Sequence, residues 1–227
     1  MGLNFSFLAE YLPWYLDAAV LTVKIAFFGI LFSLLVGVIC SAVQYYRIPV
    51  IHRVISVYIE ISRNTPLLVQ LFFLYFGLPK IGIVLSAEVC AVTGLAFLGG
   101  SYMSEAIRSG LEAVEKTQIE SAASLGMGRV LIMKEVIFPQ ALAVSVPAIC
   151  ANVIFLIKET SVVSGIALAD LMYVTKDLIG LYYETDEALL MLVAAYLVIL
   201  LPISVLSCII ERRLRYAGFG NYRAFYG

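Results

Sequence analysis

Residues 16–43 read LDAAVLTVKIAFFGILFSLLVGVICSAV, a run whose only charges are Asp17 and Lys24. A helix needs about 20 apolar residues to cross the hydrocarbon core of a bilayer, and open strands would leave backbone groups unpaired there. The run therefore predicts a membrane-spanning helix. Working outward, residues 54–76, 87–107, 138–157 and 188–210 form four further apolar stretches. The whole chain of 227 residues is 62% hydrophobic and 14% charged, with a mean hydropathy of +0.98. Soluble domains run at about 45–50% apolar and about 25% charged. The composition excludes an ordinary soluble enzyme, a disordered protein and a nucleic-acid binder, and a net charge of −1 offers no basic field to a polyanion. The expectation is an all-α membrane protein of about five transmembrane helices, with residues 1–227 as one transmembrane domain.

The stretches differ in quality. Residues 54–76 contain Glu60 and Arg63, and Thr65-Pro66 has the form of an N-cap followed by proline at the first helical position. The chain is predicted to break or kink there. Gly29 and Gly37 in the first stretch allow close helix contact, and residues 87–107 contain Gly94, Gly99 and Gly100. Cys40, Cys90, Cys150 and Cys208 lie far apart within apolar runs, and His52 is the only histidine, so a disulfide framework or a metal site is not expected. Tyr11, Trp14 and Tyr15 are expected to form one interfacial belt, and Tyr45 and Tyr46 the other.

Basic residues set the orientation. With the N-terminus outside, the inside segments hold Arg47, Arg53, Arg108, Lys116, Arg129, Lys134, Arg212, Arg213, Arg215 and Arg223, and the outside segments only Lys80 and Lys176. The opposite orientation inverts this ratio. The C-terminus is therefore predicted to be cytoplasmic.

The inside loop, about residues 108–135, is too long for a turn and is patterned. Thr117-Gln118-Ile119-Glu120 has the form of a capping box. A short helix is expected through Ser121, Ala122, Ala123, Ser124 and Leu125, with Gly126 as a left-handed stop. A second helix should start near Arg129 and enter the membrane at Phe138-Pro139. The small residues Ser121, Ala122 and Ala123 would let another surface approach closely. The competing reading is a solvated interfacial helix without a partner.

Here the sequence resembles a known family. Glu120-Ser121-Ala122-Ala123-Ser124-Leu125-Gly126, followed by Val136-Ile137-Phe138-Pro139-Gln140-Ala141, is similar to the EAA loop of ABC-importer permeases. Residues 63–70 (RNTPLLVQ), 104–110 (SEAIRSG), 156–161 (LIKETS) and 211–214 (ERRL) resemble the polar amino-acid uptake branch in the same order. The likeness spans roughly residues 12–220. Departures are Ser121 where the family usually has Ala, Ala123 where this branch often has Arg, Phe138 where Leu is expected, and Asn64 where Gly is usual.

The resemblance implies a type I ABC importer permease architecture, with the short helix as a cytoplasmic coupling helix. It implies a permease subunit in the bacterial plasma membrane that pairs with a second copy or a paralogue. It also implies two ATP-binding subunits docked on Glu120, Ser121, Ala122, Ala123, Leu125 and Gly126, and an external binding protein delivering an amino acid. No phosphate-binding loop is present, so the chain is not expected to be an enzyme. It needs no cofactor of its own, ATP and Mg residing on the partner ATPase. Coupling requires contacts that differ between two states.

Ionisable residues at membrane depth are costly and often functional. Glu60 and Arg63 are three apart and are expected to share a helix face and pair. Lys158 and Glu159 mark the end of the fourth span. Glu60 and Glu159 are candidates for a substrate ammonium, and Arg63, Lys158 and Asn152 for its carboxylate. Glu105 is expected to pair with Arg108. The competing reading makes all of these neutralised structural pairs. A secondary amino-acid transporter using Glu60 or Glu159 as an ion relay is the alternative function, although no internal repeat is visible. A membrane-embedded enzyme and a structural subunit are weaker alternatives.

Overall fold

A computed structural model describes residues 4–214. Arg215 and Arg223 of the basic tail lie outside the described residues. The elements are α1 (Phe5–Tyr45), α2 (Ile51–Asn64), α3 (Leu67–Phe72), α4 (Ala87–Glu112), α5 (Lys116–Ser124), α6 (Arg129–Ile132), α7 (Phe138–Glu159), α8 (Leu171–Tyr182) and α9 (Thr185–Leu214). A π turn and a 3-10 turn extend α3 to Ile81, a π turn joins α6 to α7, and a 3-10 turn carries α7 on to Ile166. The described residues contain no strand.

Among the described residues, three helices are long and apolar enough to span a membrane: Phe5–Tyr45, Arg129–Ile166 and Thr185–Leu214. The most apolar window of the last is wholly unburied, as a surface facing lipid or another subunit should be. The other two expected spans look different for physical reasons. At a rise of about 1.5 Å per residue, the 26 residues of α4 are long enough to cross, but the helix is lined by glycine, serine and alanine because other helices, not lipid, surround it. Residues 54–76 are not one helix. Thr65 and Pro66 are extended, with Pro66 itself capping α3, one position later than the expected N-cap and first-turn pair.

The bundle is organised around α4. Lys24 pairs with Glu88 at 2.6 Å near one end of α4, and Gly37 lies against Met103 and Ser104 further along, so α1 and α4 run parallel. Helix α7 runs antiparallel to α4, with Asn152 bonded to the Tyr102 carbonyl and Ser145 to that of Ile107. Gly99 marks a close three-helix crossing. A Cβ there would overlap Ser33 and come within 2.7 Å of Leu156, so three helices meet at one missing side chain. Ile25, Leu67, Leu71, Leu95, Met103, Leu156, Val163 and Ile166 fill the core around it.

One element was unforeseen. Residues 171–182 form α8, capped by Asp170, which accepts from the Tyr173 N–H at 2.9 Å. Leu171, Val174, Thr175 and Leu178 are buried at helical spacing against the start of α1 and α9. The expected outer aromatic belt is corrected by the same packing. Tyr11 and Tyr15 are buried, Tyr15 donating to the Ala188 carbonyl at 2.8 Å, and only Trp14 is exposed.

Candidate functional site

The first candidate site grows from the break after α2. With no N–H on Pro66 and no water in a bilayer core, the last carbonyls of α2 need side-chain donors. Thr65 Oγ1 donates to the Ile61 carbonyl, and Asn64 Nδ2 to the Glu60 carbonyl at 2.8 Å. The same Asn64 amide donates to Glu60 Oε2 at 3.0 Å. Beside the break lies a polar cavity of about 270 Å³ lined by Ile59, Glu60, Arg63, Asn64 and Tyr102.

The charges in this cavity do not pair as the spacing suggests. Arg63 forms its salt bridge with Glu105 of α4, not with Glu60, and its guanidinium sits 5.2 Å from the centroid of the Tyr102 ring. Glu105 is therefore unavailable to Arg108, which makes a two-pronged contact with Glu112 at 2.9 and 3.0 Å. Helix spacing allowed the expected pairs, but the crossing of α2 over α4 brings Glu105 to Arg63, while Arg108 takes Glu112 one turn further along α4 and Glu60 takes Asn64 one turn further along α2. Ser62 holds that crossing, donating to the Phe97 carbonyl at 2.9 Å and contacting Ser101 at 3.0 Å.

Asn152 stands one layer back, its amide donating to the Tyr102 carbonyl at 3.2 Å. Lys158 and Glu159 do not line the cavity. Lys158 is exposed and Glu159 half-buried, where α7 tightens into the 3-10 turn, and neither belongs to an ion pair among the described residues. Asn64 and Tyr102 were missed from sequence. The i,i+4 spacing of Glu60 and Asn64 was a usable signal, whereas Tyr102 arrives through tertiary packing alone.

The second candidate site is α5. It begins two residues earlier than the Thr117–Glu120 capping box requires. Glu115 is the N-cap and makes no capping bond, while Thr117 donates back to Glu115 Oε2 at 3.2 Å. Gly126 has φ +81°, the left-handed stop expected of it. Glu120, Ser121, Ala123, Leu125 and Gly126 face outward, and Leu125 is 84% exposed. Ala122 faces inward, against Val114, Ile132 and Ile137, so it anchors the helix and does not offer a contact surface. Gln140 clamps α5 from the start of α7, donating to Gln118 Oε1 at 2.6 Å and to the Val136 carbonyl at 3.0 Å.

A short outward-facing helix fixed below long apolar helices matches a known group of proteins. Residues 29–216 match the family model described as the inner membrane component of binding-protein-dependent transport systems. The chain belongs to that family. A probable glutamine ABC transporter permease of Bacillus subtilis (strain 168) is 38% identical over 72% of this chain and 75% of its own length. An arginine transport system permease of the same organism is 31% identical over 95% and 99%. A solved amino acid ABC transporter, described as being with histidines, is similar with a TM-score of 0.86 at 35% identity, covering 94% of this chain and all of that one. As a member of the inner membrane component family, the chain is a transport subunit whose apolar helices lie in the membrane. The type I permease architecture expected from the sequence is the fold observed.

Proposed function

We propose that this permease carries a polar amino acid across the bacterial plasma membrane by alternating access, driven by separate ATPase subunits and supplied by a substrate-binding protein. The observation that carries the substrate class is the cavity at the α2 break. It offers Glu60 as a carboxylate for an ammonium and Arg63 as a guanidinium for a carboxylate, separated by one helical turn and backed by Asn64 and Tyr102. Asn152 supports the wall through the Tyr102 backbone, and Lys158 and Glu159 lie along α7 as a further charged step of the path. Relatives named for glutamine and arginine transport agree with this class.

The outward face of α5, with Glu120, Ser121, Ala123, Leu125 and Gly126, is the surface offered to the ATPase. The N-terminus lies outside and the C-terminus in the cytoplasm, which places α5 on the ATP side. The complex holds two permeases, as two copies or with a paralogue, and two ATPases that carry ATP and Mg. The test is reconstitution of the permease with its ATPase and binding protein in liposomes. ATP-dependent uptake of a labelled polar amino acid that disappears when Leu125 is changed to Asp supports the reading. Uptake driven by an ion gradient without ATP overturns it.

A further inference from the structure

One side chain on α3 reaches back to the break after α2. Gln70 Nε2 lies 3.1 Å from the Ser62 carbonyl, 3.1 Å from the Thr65 carbonyl and 3.3 Å from Thr65 Oγ1. These two carbonyls belong to the residues on either side of Arg63 and Asn64. Both are left free by the break, and a bilayer core supplies no water to satisfy them. The amide oxygen of Gln70 is enclosed without a hydrogen-bond partner. An apolar side chain of similar length would avoid that orphaned acceptor, so what the glutamine contributes here is its N–H groups. Ser62 is meanwhile bonded to α4 through Phe97 and Ser101. The segment carrying Arg63 and Asn64 is thus held on one side by α4 and on the other by Gln70.

We propose that Gln70 is a positioning residue for substrate specificity: by donating to the carbonyls that bracket Arg63 and Asn64, it holds those two side chains at the angle the cavity needs. This deepens the proposed function and rests on the cavity being the substrate site. Gln70 does not line that cavity. It borders a separate, apolar cavity of about 420 Å³ with Val69, Thr93, Gly94 and Phe97, which leaves room for replacement side chains.

The test is equilibrium binding of labelled L-glutamine and L-arginine to the purified transporter without its binding protein, normalised to assembled complex. The replacements are Gln70→His, Gln70→Met and Gln70→Glu. Histidine keeps one N–H at similar reach, methionine keeps length without a donor, and ionised glutamate turns an acceptor toward carbonyls. The expected order of affinity follows the donors: wild type, then His within roughly threefold, then Met weaker by about tenfold, then Glu weakest. The Met variant should melt lower, because the Ser62 and Thr65 carbonyls lose their donor, so binding is read well below every variant's unfolding transition, which separates position from stability. Equal losses in all three variants, or unchanged binding in Gln70→Met, overturn the inference. Absence of binding to the wild type overturns the site reading, and the role of Gln70 with it.

Discussion

Arg63 on α2 is ion-paired with Glu105 on α4, and the Tyr102 ring lies under its guanidinium, while Glu60, three residues away on its own helix, is hydrogen-bonded by Asn64. The cavity therefore presents a glutamate whose charge is not spent on the nearby arginine. The arginine is shared between a carboxylate, a ring and the open space. Each of these contacts crosses or flanks the break at Thr65-Pro66.

That arrangement predicts different outcomes for binding and for stability. Glu105→Gln and Arg63→Gln should each lower the melting temperature slightly, because the pair is more than one-third exposed and such pairs are worth about 0–1 kcal/mol. The double variant should recover the melting temperature. If Arg63 meets the substrate carboxylate as proposed, uptake should not recover with it, and the loss of Arg63 should weaken apparent affinity by about tenfold. Scanning fluorimetry and uptake kinetics on the same preparations check this. Full recovery of uptake in the double variant would make the pair purely structural.

Gly126 should tolerate substitution in the order of left-handed propensity. A Cβ there meets nothing within 4 Å, so the cost is backbone strain alone, about 1–2 kcal/mol for a residue that resists positive φ. Gly126→Asn should keep most substrate-stimulated ATPase activity, Gly126→Ala less, and Gly126→Val little, with membrane insertion equal in all three. Transport at the normal rate in Gly126→Val would remove the α5 stop from the coupling route.

Asp170 should make stability depend on pH. It is fully buried, and burial pushes its carboxyl from 3.8 up to about 6, against the opposing pull of the Tyr173 and Met172 N–H groups and Lys176. Its raised value means that the folded protein holds this proton more tightly than the unfolded chain does. The resulting stabilisation is complete below about pH 3.8 and is lost as the pH rises through about 6. The shift corresponds to at most about 3 kcal/mol. Asp170→Asn keeps a good helix cap and removes the titration. The variant should melt at a higher temperature than the parent at pH 7.5, and the slope between pH 4 and 6 should flatten. Melting curves across that range measure it, and a parallel slope in the variant contradicts the assignment.

Orientation is open to a labelling experiment. Ser124 and Asp177 are both exposed and lie at opposite ends of the bundle. In a background with Cys208, the exposed native cysteine, replaced by serine, a cysteine at position 124 should react with an impermeant maleimide only in inverted vesicles. A cysteine at position 177 should react only in intact cells. Labelling of position 124 from outside would reverse the topology and move α5 away from the ATPase.

Composition and apolar run length by themselves determined that this chain is a helical membrane protein. The pattern of the α5 loop, read with its likeness to importer permeases, determined the family. Both are local properties, since run length decides whether a segment can leave water and a glycine at φ +81° ends a helix wherever it lies. The break at Thr65-Pro66 was legible for the same reason, proline lacking an N–H. Pairing was not. Helix spacing permits Glu60 with Arg63 and Glu105 with Arg108 equally well, and only the crossing of α2 over α4, set by Ser62, Gly100 and Ser101, turns Arg63 toward Glu105. Helix α8 was partly legible, since Leu171, Val174, Thr175 and Leu178 recur at helical spacing behind the capping Asp170, but the surface that covers them is supplied only by α1 and α9. Ala122 likewise read as a contact residue, and its inward direction follows from where Ile132 and Ile137 return beneath α5. Those outcomes belong to the tertiary structure, because they depend on which distant helix arrives at a given face, and residue spacing along one helix carries no record of that.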